Sequence, residues 1–190
     1  MSHWKKIAAV WGMLAVSALA RPEGLKYSLQ DVQKIMKAIT KIQGETKIAG
    51  RQPFRKIEGT ENELNSYIAY RIEKGKDDIM KDLRFKLYEN NRIEGWILID
   101  LSGHRIPIFL KTKMNLYFAG VLVVQNSSVR LDFQSFFIDG QQVPLMLLNL
   151  IVNLAAKLGK SDAASIFAWN ALPYGIKDIR TKAGQFSVYY

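Results

Sequence analysis

The chain has 190 residues, with 27 lysines and arginines against 17 aspartates and glutamates, a net charge of +10 and no cysteine. Without cysteine it holds no disulfide and is not a lipoprotein anchored through a lipidated cysteine. The length fits one domain with a sizeable core, and a surplus of basic charge is typical of proteins with anionic partners.

Residues 1–20 have the layout of a secretory signal peptide. Lys5 and Lys6 form a basic start, residues 7–20 are uncharged and apolar, and small residues stand at Ala18 and Ala20. The apolar run is shorter than the roughly 20 residues that a membrane span needs. We therefore expect a cleaved signal peptide, with an uncleaved N-terminal anchor as the alternative.

Export sets the chemistry that is available to the rest of the chain. It predicts a periplasmic, membrane-associated location and excludes ATP-dependent and nicotinamide chemistry, because those cofactors are not supplied there. Loss of Lys5 and Lys6 lowers the net charge from +10 to +8. For an exported protein this charge favours an anionic membrane surface or an acidic envelope polymer over nucleic acid.

Residues 21–57 are predicted to form a polar tether and one helix. Apolar residues recur at helical spacing over residues 28–43, with Ser28 as the N-cap and Gly44 as the stop. A short strand is expected over residues 54–57.

Residues 58–190 are predicted to form the main domain. Thr60 and Glu63 fit a capping box at the start of a helix that ends near Gly75. The apolar period then changes from helical spacing to alternation, and Asn90-Asn91 indicates a tight turn. The expected strands are 83–88, 93–101, 108–125 and 129–138, which form an antiparallel meander.

The last 46 residues are predicted to hold helices and a closing hairpin. Pro144 fits the first turn of an almost wholly apolar helix over residues 145–158. A second helical stretch is expected over residues 161–169. The closing hairpin pairs residues 176–182 with 185–190 around Ala183-Gly184.

Enzyme motifs are absent from the sequence: there is no Gly-rich phosphate loop, no G-x-S-x-G and no H-E-x-x-H. His104 is the single histidine once His3 is lost with the signal, and its surroundings predict a solvated loop. Asp100 and Asp132 have no identified partner. We expect no catalytic residue, no metal and no cofactor.

The informative feature is an excess of apolar residues. Strands 93–101 and 108–125 are apolar on both faces, whereas a sheet that is wet on one side shows clean alternation. Either these faces are buried core, or some of them line a groove for an acyl chain or another apolar ligand. The candidate groove residues are Leu147, Leu148, Ile151, Leu154, Trp96, Leu98, Leu116 and Phe118. Lys111 and Lys113 could contact a head group, or simply form a solvated face.

Five motifs follow one another in residues 58–190. They are an E-L-N-x-Y helix (Glu63, Leu64, Asn65, Tyr67), the long-stranded meander, a hydrophobic helix entered through Val143-Pro144, L-P-x-G-I (Leu172, Pro173, Gly175, Ile176) and a closing G-x-h-x-h strand (Gly184, Phe186, Val188). That order resembles small exported bacterial proteins of the TULIP (tubular lipid-binding) type. The resemblance implies a curved antiparallel sheet around a helix, with an apolar channel that holds lipid and no catalytic residues.

The sequence thus predicts an α+β fold in which a long, curved antiparallel meander wraps around a hydrophobic helix, with additional N-terminal helices. The predicted function is non-enzymatic binding or transfer of lipid or another apolar ligand. The alternative is a cell-envelope scaffold or adaptor with a filled core and no ligand.

Overall fold

The computed structural model describes residues 27–46, 54–75, 79–106, 108, 111–158 and 167–190. Within the last helix, the side chains of residue 152 and residues 154–158 are not described. The predicted signal peptide, residues 21–26 of the tether and residues 161–166 of the second helical stretch lie outside the described residues. Residues 167–169, the remainder of that stretch, form a turn and a bend instead of a helix.

The fold is α+β, as predicted, and a curled antiparallel sheet forms a half-barrel. The α-helices of the described residues are α1 (Leu29–Thr46), α2 (Glu61–Gly75) and α3 (Leu145–Leu158). They confirm the predicted helices at 28–43, after Thr60, and at 145–158. No helix in the described part of the chain is both long and apolar enough to cross a membrane.

The half-barrel is a meander of consecutive strands, each antiparallel to the next. Its strands are β2 (Met80–Leu87), β3 (Arg92–Asp100), β4 (Lys113–Gln125), β5 (Ser128–Ile138) and the short β6 (Gln141–Gln142), with β7 (Asn170–Ala171) also paired to β5.

The strand predicted over residues 108–125 is shorter in the structure. β4 begins at Lys113, which pairs with Asp100, the last residue of β3. Just before β4, Thr112 O still accepts a hydrogen bond from the backbone N–H of Leu101, the residue after β3, but Ile108 lies in a turn. The other predicted strands of the meander are confirmed to within three residues at each end.

A second sheet closes one end of the half-barrel. It has the order β1 (Lys56–Thr60), β9 (Gln185–Tyr189), β8 (Asp178–Lys182), and the last two form the predicted C-terminal hairpin. Gly184 has a φ of +69° in that hairpin turn, a backbone conformation that favours glycine. Backbone hydrogen bonds from Gly184 N–H to Leu87 O and from Glu61 N–H to Gly184 O join the turn to β2 and α2.

The N-terminal helices pack on each other and on the edge of the half-barrel. The predicted capping box forms at the start of α2: Thr60 N–H donates to Glu63 Oε2 at 2.8 Å, and Glu63 N–H donates to Thr60 Oγ1 at 3.2 Å. Tyr27, just before α1, contacts Tyr70 of α2 edge to face, with the ring centroids 5.6 Å apart.

Side chains of α2 form hydrogen bonds with the unpaired backbone groups at the free edge of β2. Asn65 Nδ2 donates to Phe85 O, and Phe85 N–H donates to Asn65 Oδ1, both at 2.8 Å. Leu87 N–H donates to Glu61 Oε2, also at 2.8 Å. A single carboxamide thus supplies the two hydrogen bonds that a neighbouring strand would make, and the edge is blocked against pairing with another chain.

We predict that Asn65→Ala lowers the free energy of unfolding by about 2 kcal/mol, because two half-buried backbone groups of Phe85 lose their partners. Asn62→Ala on the exposed side of α2 is the matched control and should change it by less than about 0.5 kcal/mol. Urea unfolding measures both. Equal stabilities for the two variants would contradict the role given to Asn65.

Candidate functional site

The concave face of the half-barrel carries a row of phenylalanines. Phe85 of β2 contacts Phe118 of β4, Phe118 contacts Phe133 of β5, and Phe133 contacts Phe167, with centroid distances of 6.2, 5.4 and 5.5 Å. All three contacts are edge to face, the geometry that aromatic pairs prefer. Phe118 is buried and Phe167 is 37% exposed, so the row runs from the core to the surface.

A glycine opposite the rings makes room for this row. Gly95 of β3 pairs in register with both Phe85 and Phe118. A Cβ added at Gly95 would overlap the Phe118 ring. The ring therefore lies directly on the β3 backbone, which only glycine permits.

Helix α3 covers another part of the concave face. Leu148 and Ile151 are buried in the core with Leu116, Phe118 and Phe136, and Leu147 packs against the same cluster. Met146 and Leu150 lie on the opposite side of the helix and are 84% and 47% exposed. The helix thus presents apolar side chains both to the sheet and away from it.

The predicted groove residues fall on two faces of the sheet. Leu116 and Phe118 lie on the concave face, where the structure brings them together with Leu148 and Ile151. Trp96 and Leu98 lie on the convex face, because they pair with the outward residues Tyr117 and Asn115. The side chain of Leu154 lies outside the described residues.

The convex face carries its own aromatic row, which follows from the same register. Trp96, Tyr117 and Phe137 pair across three strands, and the rings of Tyr117 and Phe137 are 5.9 Å apart. These side chains are half-buried. Burial, with a hydrogen bond to Glu94, raises the pKa of the Tyr117 phenol.

Lys111 and Lys113 lie at the end of the half-barrel where α3 begins. Lys111 Nζ is 2.7 Å from Asp139 Oδ2, and Lys113 Nζ is 3.5 Å from Asp100 Oδ2. Hydrogen bonds from Asn115 and Lys111 lower the pKa of Asp139, and hydrogen bonds from Ser102, with the charge of Lys113, lower that of Asp100. The lysine side chains remain 72% and 68% exposed, so both ammonium groups can still reach a ligand.

The remaining polar candidates are engaged in local contacts. His104 lies half-buried in the turn after β3, where its backbone N–H donates to Leu101 O at 3.1 Å. Asp132 accepts a hydrogen bond from Arg130 Nε at 2.7 Å. Among the residues that the structure describes, no three histidine, aspartate or glutamate side chains come together as metal ligands.

A polar cavity of about 630 Å³ lies on the outer face of the small sheet, beside the turn between β2 and β3. Lys56 and Arg180 contact the Tyr189 ring on its floor, at 5.9 and 5.1 Å from the centroid. Both cations are also in ion pairs, Lys56 with Glu58 and Arg180 with Asp178. The cavity is therefore an ordinary ion-paired surface, not an apolar groove.

Sequence reasoning did not single out Phe85, Phe133 or Phe167. The sequence signal for the row was Gly95 in the middle of an apolar strand, because a glycine within a strand marks a close approach to its backbone.

Comparison of the whole chain with models of protein families, with curated proteins and with solved structures found no match.

We predict that Gly95→Ala destabilises the protein by about 1–3 kcal/mol, because the new methyl group forces the buried Phe118 ring off the sheet. The matched control is Gly44→Ala in the exposed last turns of α1. Nothing lies within 4 Å of a Cβ there, and the better helix former should leave stability unchanged or raise it by up to about 1 kcal/mol. Thermal unfolding compares the two, and a Gly95→Ala protein as stable as the parent would contradict the packing described.

Proposed function

We propose that the protein is an exported, non-enzymatic carrier that binds lipid or another apolar ligand on the concave face of its half-barrel, beside α3. The observation that carries the proposal is the phenylalanine row. Its rings pass from the buried Phe118 through the half-buried Phe133 to the exposed Phe167. An acyl chain laid along this row would exchange water for aromatic surface, at about 0.8 kcal/mol for each methylene buried.

Two further features support the proposal. Helix α3 is apolar on the side that faces away from the sheet, where Met146 and Leu150 are exposed, so it can contact a ligand without burying charge. The order of motifs that resembles the TULIP type favours the same function, since proteins of that type hold lipid between a curved sheet and a helix.

The experiment is native mass spectrometry of protein purified from a membrane-containing host, followed by titration with a fluorescent acyl probe. We expect retained or exchangeable lipid in the parent. Phe167→Ala should weaken probe binding about tenfold, the loss of one ring's contact, with little change in stability because Phe167 is partly exposed. Phe54→Ala is the matched control: this exposed ring contacts Lys177 away from the concave face and should not affect binding.

The second candidate is the scaffold or adaptor with a filled core. It is favoured by the burial of Leu148 and Ile151, which occupy the part of the concave face under α3. This function predicts no retained lipid and a flat response to the acyl probe in the parent and both variants. That outcome would replace the carrier proposal with the scaffold.

An anionic membrane surface is the proposed partner of the carrier. Lys111 and Lys113 lie close to the start of α3, since Asp139, the partner of Lys111, directly follows β5, and β6 and then the helix come next in the chain. Met146, the most exposed apolar side chain of α3, stands in its first turn. Exposed cations beside an exposed apolar side chain fit the head-group region of an anionic bilayer.

We predict that Lys111→Gln with Lys113→Gln weakens binding to phosphatidylcholine–phosphatidylglycerol vesicles by about tenfold or more, since each lysine near such a surface contributes about 1 kcal/mol. Lys34→Gln with Lys86→Gln removes two exposed, ion-paired lysines near the N-terminus of α2 and is the control. Vesicle co-sedimentation at low salt measures both. Equal losses in the two double variants would mean that net charge alone drives binding.

A further inference from the structure

Asn149 differs from the other structural asparagines of this protein. Among the side chains that the structure describes, its Oδ1 is the buried polar atom for which no hydrogen-bond partner exists. The carboxamides of Asn65 and Asn91, by contrast, use both ends: Asn91 Oδ1 accepts from Thr181 N–H at 2.8 Å, and its Nδ2 donates to Leu122 O at 3.2 Å. Buried polar atoms in folded proteins are nearly always paired, so each exception requires an explanation.

Asn149 lies beside the exposed apolar side of α3, which the proposed function assigns to contact with the ligand. With 100° between successive residues, Asn149 lies on the flank of the helix, between the buried pair Leu148 and Ile151 and the exposed pair Met146 and Leu150. The residue itself is half-buried, although its oxygen is fully buried. It is the first of three polar residues in a helix whose other residues are all apolar, so an acceptor is present where a leucine would pack without cost.

We propose that Asn149 Oδ1 accepts a hydrogen bond from the bound lipid, and that the ligand is therefore a long-chain molecule with a hydrogen-bond donor, such as a hydroxyl or an amide N–H. A carboxamide oxygen has lone pairs and no proton, so it cannot pair with a deprotonated carboxylate or a phosphate oxygen. This inference rests on the proposed carrier function and specifies the class of lipid.

The test compares two ligands of matched chain length, 1-dodecanol and dodecyl methyl ether, as competitors of the fluorescent acyl probe. The alcohol has a donor and the ether does not. We expect the parent to bind the alcohol about tenfold more tightly, the usual effect of one buried hydrogen bond. Asn149→Leu and Asn149→Ala should bring that ratio close to one and leave binding of the ether unchanged.

Asn153→Leu is the control, because Asn153 lies one turn further along the same flank of α3 and its side chain is not among the buried unpaired groups. It should keep the preference for the alcohol. The inference is overturned if the parent binds probe, alcohol and ether without preference, or if both Asn149 variants keep the preference. A parent that binds neither the probe nor either competitor overturns the carrier function itself, and this inference with it.

Discussion

The contact between the Phe118 ring and the β3 backbone at Gly95 is the constraint on which the half-barrel depends. The ring is buried between neighbours on both sides, Phe85 and Phe133, and it lies where any side chain at Gly95 would stand. Leu148 and Ile151 of α3 belong to the same buried cluster as this ring. The aromatic row, the curvature of the sheet and the position of the helix therefore all depend on the packing of this one cluster.

A half-barrel, unlike a closed barrel, has free edges with unpaired backbone groups. In this protein carboxamide side chains form hydrogen bonds with some of those groups. Asn65 supplies both hydrogen bonds to Phe85 at the edge of β2. Asn91 plays the same part for the small sheet, because its Oδ1 accepts from Thr181 N–H in the edge strand β8. Each carboxamide replaces a missing strand at one point, which satisfies the backbone without extending the sheet.

The local sequence pattern was enough to predict most elements of the fold. It was not enough to predict the register between strands that are distant in sequence. The change of period after α2, the Asn90-Asn91 turn and the capping box at Thr60 each act within a few residues, so the sequence carries them directly; both asparagines have φ near +60°. Which face of β3 meets α3 depends on pairing with β4. Trp96 and Leu98 are as apolar as Ile97 and Ile99, and only the register places the first pair on the convex face.

A filled core is compatible with a lipid site in this protein, because the side chains of one helix, α3, fill only part of the concave face. Leu148 and Ile151 bury the concave face in the free protein, while Phe133 and Phe167 beside them stay partly open. A ligand bound as proposed contacts the exposed side and the flank of α3, where Asn149 lies, and does not have to displace the buried pair. Under the proposed function the buried contacts of α3 therefore preserve the fold, and the flank of the helix determines which lipid is bound.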